Sequence, residues 1–268
     1  MISSSHSPSR LARVNGVDLA YQVSGSGRPL VLLHGGFGSA EMFGPNLEAL
    51  AAGRQVIAVD LQSHGRTPAP DRPMRFETMA DDIAALIGYL GHEQADVMGF
   101  SLGGGVAIRA AIQHPAAVRR LVVVSAPFRR SGWLPEHIAA FDAMGPQTGE
   151  FMRQTPLFET YRAVAPDVDA WPKLVVQLTT LLKQDYDWTD EVRLLAMPVL
   201  IVVGDADGVS PRHAADFFEL LGGGLRDASW DGSGMTPHAL AVLPRTTHYD
   251  INVAPRLAET VGAFLDRE

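Results

Sequence analysis

Apolar residues cluster in five short, nearly continuous runs: Pro29 to Leu33, Gln55 to Leu61, Ala95 to Phe100, Val118 to Ser125 and Met197 to Val203. Such runs mark strands buried on both faces of a parallel sheet. Between them the period lengthens. Met79, Ile83, Leu86, Ile87 and Leu90 line one face of a helix that Gly91 closes. The pattern predicts further helices from about Ser39 to Ala52 with Ser39 as cap, from Leu102 to about Gln113, from Arg212 to Leu221 and from Pro255 to Asp266. Leu11 to Val14 and Val17 to Val23 alternate around Asn15-Gly16, a hairpin signal, and Leu240 to Leu243 reads as a last strand. Strand and helix in alternation predict an α/β domain whose parallel sheet is covered on both faces.

The alternation fails between Phe128 and about Trp188. Short helical patterns there are cut by Pro135, Pro146, Pro156, Pro166 and Pro172 and are rich in aromatic residues and methionine. Inserted in an α/β domain, they are suited to cover a site, with Trp133, Phe141, Met144, Phe158 and Trp171 as expected pocket residues. The competing reading is that they form only the insertion's own core. The expected division is a loose tail over 1–10, a core of 11–128 and 189–268, and a helical lid over 129–188.

Composition narrows the function. The 268 residues carry a net charge of -8, and no basic block supplies phosphate contacts, which disfavours a nucleic-acid or anionic-membrane partner. The absence of cysteine excludes disulfides, thiolate catalysis and Cys-ligated metals. Met1 to Arg10 is polar and no run of about 18 apolar residues occurs, so a cytoplasmic location is expected.

Candidate chemistry centres on Gly99-Phe100-Ser101-Leu102-Gly103, a Gly-x-Ser-x-Gly motif between a buried strand and a helix. That context strains the serine backbone and exposes its hydroxyl above the sheet. A serine needs a base to act as nucleophile and an acid to orient the base. In a parallel sheet, reacting groups gather beyond the carboxyl ends of the strands, which leaves His34, His64 and His248 of the nine histidines. His248 alone follows both the nucleophile and an acid. His34 is expected to brace its glycine-rich loop, and His64 to belong to a structural turn. For the acid, Asp207 is favoured over Asp205 because it lies further past the strand end. Leu102 is expected to donate one oxyanion amide, and the turn after Leu33 the other, through Gly36 or Phe37.

His34-Gly35-Gly36-Phe37-Gly38, Asp60-Leu61-Gln62-Ser63-His64-Gly65-Arg66-Thr67, the serine motif, Gly204-Asp205-Ala206-Asp207 and Thr246-Thr247-His248 together resemble the α/β-hydrolase fold family. The likeness is to its lidded esterases, haloperoxidase-like enzymes and C–C hydrolases. The resemblance implies a mostly parallel twisted sheet with helices on both faces and a helical lid after the sixth strand. It also implies nucleophile Ser101, acid Asp207, base His248 and no cofactor, and a small-molecule ester as substrate. C–C bond hydrolysis and lactone opening use the same triad. A ligand receptor that keeps the fold without turnover is the rival from another class. Ser63 departs from the glycine common at its position, at a cost of about 1 kcal/mol if the turn needs positive φ.

Overall fold

The computed structural model describes residues 8–145 and 147–267; His6, Pro146 and most of the expected tail lie outside them. One eight-stranded sheet runs through the molecule. Its strands are β1 (Arg10–Val14), β2 (Val17–Ser24), β3 (Arg28–Leu33), β4 (Arg54–Asp60), β5 (Ala95–Phe100), β6 (Val118–Val124), β7 (Val199–Ala206) and β8 (Ala239–Thr247), in the order β1-β2-β4-β3-β5-β6-β7-β8. β1 and β2 pair antiparallel across Asn15-Gly16, both at positive φ, and β2 pairs antiparallel with β4. Every pairing from β4 through β3 to β8 is parallel.

Each central strand serves two cores. In β3, Leu30 and Leu32 face one apolar cluster while Val31 and Leu33 face the other, and β6 and β7 alternate in the same way. This explains the continuous apolar runs: with both faces buried, no polar position is free. α2 (Phe76–Tyr89) and α3 (Leu102–Gln113) cover one face; α1 (Pro45–Ala51) and α10 (Pro255–Leu265) cover the other. α9 (Pro211–Leu220) follows β7, capped by the Ser210 hydroxyl, which accepts from the His213 amide.

Three boundaries differ from the sequence reading. The helix expected from Ser39 is a 3-10 turn over Ala40–Phe43 followed by α1, because Gly44 at φ 48 and Pro45 restart the chain. Ser39 does not cap it; its hydroxyl donates to Glu41. β8 extends well past Leu243 to Thr247, held by a register shift against β7. β1 starts at Arg10, inside the stretch expected as tail.

Between β6 and β7 the described residues add no strand to the sheet; their regular elements are α4 (Pro135–Ala143), α5 (Thr148–Met152), α6 (Pro156–Val164), α7 (Trp171–Leu182) and α8 (Thr189–Val192), with short 3-10 turns. The ends of this insertion are tied together. The backbones of Arg129 and Asp187 pair as an isolated antiparallel β-bridge, and the Trp188 amide donates to the Phe128 carbonyl at 3.0 Å. No helix among the described residues is long and apolar enough to cross a membrane.

Candidate active site

Ser101 sits between the last residue of β5 and the first of α3, at φ 53 and ψ -114. The turn is possible because its flanking glycines lack side chains. A Cβ on Gly99 would lie 2.0 Å from the Gly103 carbonyl oxygen, and one on Gly103 would lie 2.3 Å from the Leu33 carbonyl oxygen. The Gly103 amide donates to the His34 carbonyl at 3.0 Å, so the elbow is bound to the turn after β3.

The three residues expected to act together do converge. His248 Nε2 lies 3.1 Å from Ser101 Oγ, and His248 Nδ1 lies 2.9 Å from Asp207 Oδ1. A carboxylate can only accept, so Nδ1 carries the proton and Nε2 is left to accept from the serine hydroxyl. Asp207 is almost wholly buried and fully hydrogen-bonded. Burial pushes its carboxyl up, but His248, the Ser125 hydroxyl and the Gly204 amide outweigh burial and hold it below its ordinary value. Asp205 does something else: its exposed carboxylate accepts from the Thr246 amide at 3.1 Å and shapes the bulge that brings His248 back. Phe100 and Trp133 flank the imidazole with ring centroids 5.2 and 5.3 Å away.

Gly36, Phe37 and Leu102 border the same space. Their amides donate to no loop carbonyl or side chain among the described residues, and Phe37 takes φ 61. Below this turn His34 and His64 are fully buried, 5.1 Å apart between ring centres. His34 Nε2 accepts from the Leu61 amide and its Nδ1 meets the Gly35 carbonyl, which braces the turn. Burial lowers His34 to about 4 and His64 to about 3, so both are neutral near pH 7.

A cavity of about 360 Å³ opens over Ser101, with mostly apolar walls. Of the five aromatic and methionine residues named from the sequence, Trp133, Phe141 and Met144 line it. Phe158 and Trp171 do not. Trp171 instead meets Phe158, Tyr161 and Phe37 with ring centroids 5.2, 5.1 and 5.6 Å away, inside the apolar cluster that continues onto the sheet, and its fully buried indole donates to the Gly149 carbonyl at 2.9 Å.

Two contacts had no sequence signal. Ser125, after β6 at φ 50, gives its hydroxyl to Asp207 Oδ2. Ser63, at φ 66, donates to Gln177 Oε1 of α7 at 2.6 Å, and Gln177 Nε2 donates to the Arg72 carbonyl at 3.1 Å. The serine that replaces a common glycine thus ties the helical insertion to the turn after β4. Among the described residues, no group of three or more His, Asp or Glu side chains converges to hold a metal ion.

Residues 28–170 match the alpha/beta hydrolase fold family. The chain belongs to that family. Among curated relatives it is 30% identical over 235 residues to the AB hydrolase superfamily protein YisY of Bacillus subtilis, covering 79% of this chain and 85% of that one. It is 28% identical over 228 residues to RutD of Azorhizobium caulinodans, provisionally named a carbamate hydrolase, covering 79% and 84%. An esterase from Thermogutta terrifontis superposes with a TM-score of 0.71 at 23% identity, covering 96% of this chain and 97% of that one, which speaks to the fold alone.

Proposed function

We propose that the chain is a carboxylic-ester hydrolase that works through an acyl-enzyme on Ser101. One observation carries the reading: the unbroken path from Asp207 Oδ1 to His248 Nδ1 and from His248 Nε2 to Ser101 Oγ, under an apolar cavity. Ser101 Oγ attacks the acyl carbon while its proton passes to His248 Nε2. The oxyanion is received by the amide of Leu102 and by that of Gly36 or Phe37. The ester C–O bond then breaks, and Nε2 returns the proton to the departing alcohol. Water, deprotonated by Nε2, attacks the acyl carbon and releases the acid, and Ser101 regains its proton. Asp207 fixes the tautomer and stabilises the imidazolium. Residues 129–188 act as a lid that supplies the cavity wall and excludes water.

The test is hydrolysis of 4-nitrophenyl esters beside lactones and vinylogous diketones, by the native chain and by Ser101→Ala. Ester turnover lost in the variant, with an unchanged melting temperature, supports the reading. Turnover confined to lactones or diketones moves the substrate class, and turnover retained by Ser101→Ala removes the mechanism.

A further inference from the structure

The cavity holds one guanidinium that the reaction above does not use. Arg130 follows β6 at the root of the lid, lines the cavity, and its side chain is 14% exposed. Nε donates to the carbonyl of Leu182, the last residue of α7, at 3.2 Å, and Nη2 donates to Asp142 of α4 at 2.6 Å. Those two bonds engage two of the five N–H donors of a guanidinium. Among the described residues the others have no protein acceptor. A cation with spare donors on a mostly apolar wall favours an anionic ligand group, to which a guanidinium gives charge-assisted hydrogen bonds. Asp142 engages Nη2 alone, and its own side chain is 55% exposed, so it leaves the remaining donors to a ligand.

We infer that Arg130 is a specificity-determining residue that receives a carboxylate on the substrate, at the lid end of the cavity between α4 and α7. The inference rests on the esterase reading and names the substrate class: esters that also bear a free carboxylate. The guanidinium fork matches a carboxylate in plane and accepts it through two parallel hydrogen bonds. Asp142 then shares or yields its place on Nη2. The apolar walls hold the chain between the two polar ends.

Two matched substrate series test this. One pairs 4-nitrophenyl monoesters of glutaric, adipic and suberic acid with neutral esters of equal chain length. The other pairs acetates of hydroxy acids with acetates of the corresponding alcohols. The native chain is expected to favour the carboxylated member in at least one series. Arg130→Met then lowers kcat/KM for that member about tenfold or more relative to its neutral partner, with the change in KM. Arg130→Lys falls between, and Asp142→Asn lowers KM for the carboxylated ester, which a purely structural clamp between α4 and α7 does not produce. Thermal melts of the same variants report that they fold. Binding is read separately in Ser101→Ala, as the melting shift from monomethyl adipate against methyl hexanoate. No ester turnover by the native chain, with an adipate shift that Arg130→Met abolishes, ends the esterase reading and keeps the carboxylate site. Equal handling of both members in both series, or equal loss of both in Arg130→Met, overturns the inference.

Discussion

Replacing His64 by Asn tests the buried histidine pair that underlies the turn after β3. His64 Nδ1 lies 2.8 Å from the Gln62 carbonyl, its Nε2 is buried without a partner, and burial lowers it to about 3. Asparagine keeps a donor near the Nδ1 position and cannot titrate. In the unfolded chain the histidine binds a proton near its ordinary pKa of about 6.5. The unfolded state therefore holds more protons between about pH 6.5 and 3, and stability rises with pH across that window. The slope is about 1.4 kcal/mol per pH unit for one such histidine. From pH 7 to pH 5 the native chain thus loses about 2 kcal/mol through His64 alone. The lost ring volume in His64→Asn lowers stability by an amount independent of pH, so the difference between the two chains isolates the titration from every other group. Urea unfolding of both chains at pH 7, 6 and 5 reads it directly. The gap between native chain and variant should close by about 2 kcal/mol on acidification to pH 5. Parallel curves would refute the buried, neutral state of His64.

Further predictions concern the contacts around the site. Ser125→Ala removes the hydroxyl on Asp207 while leaving the His248, Gly204 and Val209 contacts, so kcat/KM should fall about tenfold and stability by about 1 to 2 kcal/mol at pH 7. Asp207 is held below its ordinary value of 3.8, so this stability is present above the unfolded pKa and fades only as pH falls through the folded one; melts at pH 7 and pH 4 should show nearly the same loss, which shrinks at more acid pH. Gln177→Leu leaves Ser63 at positive φ without its partner and should cost about 1 to 2 kcal/mol; Ser63→Gly in that background should recover about 1 kcal/mol, read by a double-mutant cycle. Gly103→Ala drives a Cβ into backbone atoms of Leu33 and His34 and should lower the melting temperature sharply, or leave no folded protein, as judged by thermal unfolding.

The parts legible in the sequence were those written in local pattern. Strands β3 to β7 announce themselves because burial on both faces leaves a continuous apolar run, and the elbow is a five-residue signal. Chain order and strand ends were enough to single out Ser101, Asp207 and His248, the residues whose side chains meet. What stayed hidden depends on packing between distant segments. Ser125 reaches Asp207 across 82 positions and Ser63 reaches Gln177 across 114, with nothing in either residue's neighbours to foretell it. Phe158 and Trp171 show the same limit: an aromatic residue on a helix is equally apolar whether it faces the cavity or the surrounding core. Arg130 was invisible as a pocket residue because only the closure of α4 over α7 brings it to the wall.

The most direct test of the central claim is covalent trapping by a fluorophosphonate, followed by intact-mass measurement and peptide mapping. One adduct on Ser101, formed with the loss of esterase activity and slowed strongly in His248→Ala, is the predicted result. Esterase activity that survives complete labelling, or a label found on another residue, would contradict it.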